Sequence, residues 1–371
     1  MRTDTLFLTL NVFSATGGIE KVCKILGKAL YERSVEKEQR LMVWSMHDKE
    51  ADVEGNLYFP GEIYKCFHAS KARFVSAAVQ QGLQSKLVIL SHTNLLLVGW
   101  LIKKLSPKTK IVLLAHGIEI WNKFPKTKRR MLAAMDQVWA VSRYTKTKIL
   151  EQQGLTENRV SVLNNCLDPF LTASKNVIDP AFLKSRYGLA ATDKILFTLT
   201  RLSSKEKYKG YDDVITALEQ INDPSIKYII GGKADDKEIT VVNEQVDKAG
   251  LKGKVILAGF IAENEVAAHY KMSDCYIMPS SGEGFGVSFI EAMFYGVPVI
   301  GGNADGSRDA LQNGELGTAV RPGNIPQIKD AIKKIMDAPE KHKPDHEQLM
   351  NHFGYPVYKE RLGNLLAEVI V

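Results

Sequence analysis

Glu283 and Glu291 stand eight residues apart in the run SGEGFGVSFIEAMFYGVPVIGG, residues 281–302, around a glycine-rich bend. The preceding CYIMPSS reads as a buried strand running into a loop, and VSFIEAMFYG as the next helix, stopped by Gly296 and Pro298. Gly284, Phe285, Gly286 and Val287 then fall at the helix start, where the first backbone N–H groups lack intrahelical partners and the dipole favours negative charge. Such a start is a seat for phosphate, and glycine lets a ligand come close to the backbone. Carboxylates would repel a phosphate placed directly on them, so beside one their use is to hold hydroxyls. Glu291, about a turn into the helix, would reach those of a ribose, and Glu283 those of whatever lies beyond the phosphates. The plain alternative is an ordinary helix-start acid at 283 and a solvated helix residue at 291.

A second segment, LTRLSSKEKYKGYDDVITAL, sets Arg201 just beyond the apolar run ILFTLT and Lys209 just before the next helical pattern. Both cations would sit at the carboxyl edge of a strand, where a diphosphate leaving group could be neutralised without a metal. The alternative is a solvated basic loop, which suits Lys205 and Lys207 and fits Arg201 less well, so close to a buried strand. No D-x-D stands at a strand end; Asp212-Asp213 and Asp235-Asp236 are adjacent pairs that read as surface or helix-start acids, so no metal site is expected.

The elements that must hold these groups are legible as apolar runs alternating with helical patterns. Strands are expected at 5–10, 40–45, 87–91, 110–115, 137–141 and 160–163, with a helix at 19–33 after the Gly17-Gly18 turn. The stretch NNCLDPFLTASKNVIDPAFLKSRYGLAATDK is rich in turn formers and reads as a linker near 170–190. The pattern then restarts with ILFTLT, and strands recur at 226–230, 254–257, 275–278, 297–300 and 317–320. The expectation is α/β: two doubly wound parallel sheets, with ligands outside the carboxyl ends of their strands and a cleft between the domains as the site.

At 371 residues the chain suits two domains, and 45% hydrophobic with 25% charged residues excludes a disordered or fibrous protein. The four cysteines are scattered, without zinc or disulfide spacing, which suits a reducing cytoplasm. The apolar start TLFLTLNVF follows Asp4 and runs into SATGGIEKV, so it reads as a first strand and turn, not a signal segment. The longest internal apolar run, LLLVGWLI, is far short of the roughly 20 residues of a spanning helix. Residues 1–170 hold 25 Lys and Arg against 15 Asp and Glu, a net of +10, whereas the remainder carries −3. Such asymmetry points to different partners for the two halves.

With these segments in order, the chain resembles the retaining family-4 glycosyltransferases of GT-B fold. The resemblance runs through TGGIEKV, AHGIEIW, AVSRYTKTKIL, VLNN, TRLSSKEKYKG and the long run from AGFIAEN to PVIGG. It implies two Rossmann-like domains: 1–170 for the acceptor, with a C-terminal helix at about 356–371 packing back on it, and 190–355 for the nucleotide-sugar donor. It further implies that Glu291 binds the nucleotide ribose, Glu283 the transferred sugar, the amides of Gly284, Phe285, Gly286 and Val287 the phosphate and sugar, and Arg201 with Lys209 the diphosphate. By the same resemblance Gly17 and Gly18 form the glycine turn that approaches the donor phosphate, His116 lies near the reaction centre, and Phe260 and Ile261 form the base-binding turn. A lone strand-end histidine is otherwise easily satisfied by backbone hydrogen bonds, the reading kept for His92. Ile261 and Phe260 are equally readable as core packing.

Two positions depart from the family pattern. Cys166 replaces a glycine in NNCLD, and Lys233 in GGKADD stands in a loop commonly richer in glycine and acid. The implied activity is transfer of a hexose from a UDP- or GDP-linked donor, itself a co-substrate and not a cofactor, to an acceptor hydroxyl with retention, without metal. A sugar-nucleotide epimerase of similar fold and a non-catalytic sugar-nucleotide-binding protein are the alternatives. An NAD-dependent dehydrogenase would need a G-x-G-x-x-G turn that TGGIEKV does not supply. Two segments, YKCFHASKARF and IWNKFPKTKRRML, interleave cations with aromatics, placing Phe67, Phe74 and Lys71 together and gathering Lys123, Lys126, Lys128, Arg129 and Arg130 near Trp121 and Phe124. This composition suits shallow insertion at an anionic membrane surface, or else an ordinary solvated face over core aromatics. The resemblance implies peripheral attachment at the inner membrane face and a lipid-linked glycan acceptor. No nucleic-acid-binding module accompanies the basic half.

Overall fold

The computed structural model describes residues 3–171, 178–204 and 206–370. The chain divides into two compact units, Met1–Phe170 with Tyr355–Val371, and Leu171–Gly354.

In the first unit, strands β1 (Thr3–Thr9), β2 (Leu41–Ser45), β3 (Tyr64–Cys66), β4 (Ser85–Leu90), β5 (Lys110–Ala115), β6 (Gln137–Ala140) and β7 (Val160–Val162) form one parallel sheet in the order β3-β2-β1-β4-β5-β6-β7. Leu6, Phe7 and Leu8 on β1 and Val88, Ile89 and Leu90 on β4 are all fully buried. A sheet covered by helices on both faces needs apolar side chains at every strand position, so these strands read as continuous runs and not as alternation. β3 escaped the sequence reading because it is a three-residue edge strand, partly exposed, with no apolar run to mark it. The helix Tyr355–Ile370 packs back onto this unit. It buries Tyr358, Leu362, Leu366 and Val369 in the same core as Val22, Cys23, Leu26 and Leu30 of the helix Gly18–Glu36. Lys359 adds an ion pair to Glu32 at 2.7 Å.

In the second unit, β8 (Lys194–Leu199), β9 (Ile226–Gly231), β10 (Val255–Gly259), β11 (Cys275–Met278), β12 (Val299–Gly302) and β13 (Thr318–Val320) pair in the order β10-β9-β8-β11-β12-β13, again all parallel. The order in which the chain adds strands reverses once in each sheet, with the switch between β1 and β4 and between β8 and β11. In a doubly wound sheet such a switch point opens a crevice at the carboxyl ends of the two strands.

Part of the expected linker, 172–177, lies outside the described residues, and so does Lys205. The rest of the linker is not loop throughout. Pro180–Arg186 forms a helix whose Asp179 cap accepts from the Ala181 N–H at 2.8 Å, and Arg186 pairs with Glu265 at 2.7 Å. Its seven residues are too few to show a helical period amid prolines and glycines.

The aromatic-basic segments differ from the membrane-inserting arrangement. Phe67 precedes the helix Lys71–Gly82, and Phe67 and Phe74 are buried against each other, ring centroids 5.2 Å apart, with Trp44 alongside. Phe124 is also buried, and Trp121 Nε1 donates to Thr145 Oγ1 at 3.1 Å. These rings are held by the core of the first unit. Among the described residues no helix is long and apolar enough to cross a membrane.

Candidate functional site

The second unit brings most of the candidate residues to one sheet edge. Arg201 and Lys209 follow β8, Phe260 and Ile261 follow β10, and Glu283 with the glycine bend follows β11. The β8–β11 switch point therefore carries both cations on one side and the glutamate loop on the other.

Lys209 and Glu283 form an ion pair with side chains only 15% and 13% exposed. Burial is the largest single influence and opposes the charge on Lys209, but the Glu283 carboxylate, Tyr208 and Glu206 together hold the lysine pKa above its ordinary value. The two loops are also joined through the backbone, since the Ser281 N–H donates to the Tyr208 carbonyl at 2.8 Å. Arg201 is different in character: 73% exposed, it pairs with the mostly buried Glu206 at 2.6 Å. Its position beyond the strand end puts the guanidinium in solvent at the sheet edge.

The helix after the bend spans Val287–Phe294, with Gly286 as its N-cap at φ +90°, a value in the left-handed region that only glycine adopts cheaply. Gly284 to Val287 thus occupy the expected helix start. Phe285 turns its ring inward against Phe353, so of this residue only the backbone belongs to the bend surface. Glu291 is 3% exposed and accepts from Tyr270 Oη at 3.3 Å, which removes the reading of a solvated helix acid. A carboxylate placed so deeply needs hydrogen-bond donors, and a tyrosine is one it has.

Phe260 and Ile261 divide. Phe260 is 64% exposed at the end of β10, whereas Ile261 is buried, with Gly231 packed directly on it. Asp235 caps the helix Asp236–Lys248 by accepting from the Glu238 N–H at 2.8 Å, and Asp213 accepts from the Gly323 N–H at 2.9 Å, the helix-start and surface roles expected of these acids. Among the described residues no cluster of metal-ligating side chains is present.

In the first unit Gly17 and Gly18 open the helix Gly18–Glu36 after β1, and His116 follows β5. The His116 ring Nε2 lies 2.7 Å from the Ser91 carbonyl, and its backbone N–H donates to Glu119 Oε1 at 2.6 Å. The neighbouring His92 accepts from the Asn94 N–H at Nδ1, the structural role expected of it; burial holds its pKa below the ordinary histidine value.

Two aspartates of weight escaped the sequence reading. Asp48, fully buried, accepts from the Val12 and Phe13 N–H groups at 2.9 Å, the Ser14 N–H at 3.3 Å, the Ser14 hydroxyl, and Tyr64 Oη at 2.5 Å. It clamps the loop that leads into Gly17. Asp305, also fully buried, does the corresponding work beside Glu283. Each lies three residues beyond a strand, β2 or β12, and reaches sideways to the loop of the neighbouring strand. An acid just past a strand end was the only signal.

A sequence profile described as glycosyl transferases group 1 matches residues 181–348, the stretch that contains this whole sheet edge. Over these residues the chain is similar to the group 1 glycosyl transferases. Among the relatives of this chain is the GDP-mannose-dependent alpha-(1-6)-phosphatidylinositol monomannoside mannosyltransferase of Mycobacterium tuberculosis, 28% identical over 209 residues, 53% of this chain and 51% of that one. The N-acetyl-alpha-D-glucosaminyl L-malate synthase of Bacillus anthracis is 28% identical over 166 residues, 44% of this chain and 42% of the other. The chain thus spans about half the length of the curated relatives it matches. A solved structure, Anabaena HepE in complex with UDP, superposes with a TM-score of 0.80 over 99% of this chain and 100% of that one at 21% identity, which shows the GT-B fold. Both departures from the family pattern are accommodated in the structure. Cys166 is buried in the first unit's core, where burial raises its thiol pKa, and Lys233 is exposed, its carbonyl accepting from the Leu202 N–H at 3.0 Å.

Proposed function

We propose that this protein is a retaining glycosyltransferase that moves a hexose from a nucleoside diphosphate sugar to an acceptor hydroxyl. The observation that carries the reading is the convergence of Arg201, Lys209, Glu283, the Gly284–Val287 bend and Glu291 at the β8–β11 switch point. Charge grows on the diphosphate as the glycosidic bond breaks, and Arg201 and Lys209 stabilise it, with the helix start adding backbone donors. Glu291 holds the ribose and Glu283 the departing hexose. The leaving phosphate oxygen takes the acceptor proton on the face from which it departs, so no protein base is required. Gly17, Gly18 and His116 are the first unit's candidate donor contacts, and Phe260 borders the base. Domains 1–170 with about 356–371, and 190–355, bind acceptor and donor respectively.

Relatives and fold neighbours named for GDP-mannose and for UDP-glucose support UDP and GDP donors as the ones to screen. The mannosyltransferase relative is named for a lipid acceptor, which supports a lipid-linked glycan at an inner membrane face. The test is incubation with a UDP- and GDP-sugar panel, a polyprenyl-linked glycan acceptor and EDTA. It should yield a product with the donor's anomeric configuration at undiminished rate. An inverted product, or dependence on added magnesium or manganese, would overturn the mechanism. Conversion of the donor sugar with no acceptor present would establish an epimerase instead.

A further inference from the structure

Asp305 has no part in the chemistry proposed above, yet it is fully buried beside it. Its Oδ2 accepts from Ser280 Oγ at 2.7 Å and from the Glu283 backbone N–H at 2.5 Å, and its Oδ1 accepts from the Ser307 N–H at 2.9 Å. In the opposite direction the Gly306 N–H donates to the Glu283 carbonyl at 2.9 Å. The Glu283 residue is therefore gripped at both ends of its backbone by the segment after β12. Two glycines let the segments lie in contact: a Cβ on Gly302 would overlap the Ser280 carbonyl, and one on Gly306 would overlap the Gly284 carbonyl. With the backbone fixed in this way, the Glu283 side chain is left one strong partner, Lys209.

We propose that Asp305 is a positioning residue that aims the Glu283 carboxylate at the transferred sugar of the donor. The proposal rests on the reading of Glu283 as the sugar contact. The site calls for a carboxylate and not an amide, because donors approach both oxygens. An asparagine would turn its own N–H groups toward either the Ser307 N–H or the Ser280–Glu283 pair. Burial raises the Asp305 pKa against the pull of those donors, so the group carries a desolvation cost that only its grip on the loop offsets. Asp305 lies outside the Glu291 and Arg201 contacts, so losing it should weaken the sugar contact more than nucleotide binding.

The experiment is calorimetric titration of UDP and UDP-glucose, and of GDP and GDP-mannose, into the full chain, comparing wild type with Glu283→Gln, Asp305→Asn, Ser280→Ala and the Glu283→Gln/Asp305→Asn double variant. The quantity read is the ratio of donor affinity to nucleotide affinity. Asp305→Asn should lower that ratio about tenfold, the loss of a hydrogen bond to a charged group, with nucleotide affinity changed less than about twofold. The double variant should be no worse than Glu283→Gln alone, because one residue acts through the other. Ser280→Ala keeps the carboxylate and the fold, and should lower the ratio in the same direction by about threefold. An unchanged ratio in Ser280→Ala and Asp305→Asn, with Glu283→Gln lowering it, would overturn the positioning role alone. So would a parallel fall of nucleotide affinity and thermal stability in Asp305→Asn. An unchanged ratio in Glu283→Gln would instead overturn the sugar role of Glu283 on which the proposal stands.

Discussion

Lys209 and Glu283, 74 residues apart in the chain, meet in a mostly buried ion pair across the β8–β11 switch point. Each has a different task in the proposed reaction, one at the diphosphate and one at the sugar, and in this structure each compensates the other's charge. Removing one partner of such a pair leaves a buried charge without its counterpart, at a cost of about 3–5 kcal/mol.

Lys209→Ala should therefore lower unfolding free energy by about 3 kcal/mol, at the low end because the pair is not wholly buried, and turnover by about 10²- to 10³-fold. The double variant Lys209→Met/Glu283→Gln removes both charges and should recover most of the stability without recovering turnover. Urea unfolding and initial rates measure the two effects separately. Turnover that returned along with stability would show that these residues only hold the loops together.

Arg201→Ala separates catalysis from folding more cleanly. The guanidinium is 73% exposed, so its pair with Glu206 contributes little and stability should change by less than about 0.5 kcal/mol. Turnover should fall about a hundredfold, because the charge it meets develops in the transition state. Wild-type turnover would remove Arg201 from the leaving-group site.

The parallel strands were legible because burial on both faces demands unbroken apolar runs, and β5 and β11 fall on the expected residues. The switch-point residues were legible because strand ends and helix starts confine where a phosphate seat can form. What escaped was held by contacts distant in sequence. Asp305 acts on a loop more than twenty residues earlier, and Asp48 on one more than thirty earlier, and neither leaves a periodic trace. The aromatics Phe67 and Phe74 misled for the complementary reason: spacing places them beside lysines, but only the packed unit shows that Phe67 packs between Trp44 and Phe74 and that neither phenylalanine ring faces the solvent.

Asp48 gives a pH dependence of stability with a definite sign. Burial alone would raise its pKa, but the Ser14 and Tyr64 hydroxyls and the backbone N–H donors hold it below the ordinary aspartate value. A folded-state pKa below the unfolded one contributes stability that is present above the unfolded value of about 3.9 and is lost as pH falls through the folded value. Unfolding free energy measured in urea should thus decline below about pH 4, more steeply in wild type than in Tyr64→Phe, which removes one donor to the carboxylate. Identical slopes in the two proteins would exclude Asp48 as a source of the acid sensitivity.

Membrane attachment, if it follows from the basic first unit, must be electrostatic, and this changes what its test should show. Lys123, Lys126 and Arg130 are exposed, but Phe124 is buried, and Lys128 lies over that ring, 4.0 Å from its centroid, while donating to Thr93 Oγ1 at 3.4 Å. Trp121 packs edge-on against Tyr144 with its indole N–H already engaged. No ring in this segment is free to enter the acyl boundary. What remains is attraction of the exposed cations to anionic headgroups, about 1 kcal/mol for each cation near the surface, screened over about 10 Å at 0.1 M salt. Sedimentation with vesicles should therefore show binding to anionic lipid at low salt, loss of binding as salt rises, and weakening by one to two orders of magnitude in Lys126→Ser/Arg130→Ser. Tryptophan emission should not shift on binding. Equal binding to neutral and anionic vesicles would require an inserted apolar surface elsewhere in the molecule, a blue-shifted tryptophan emission would place an indole in the bilayer, and either result would sink the electrostatic account.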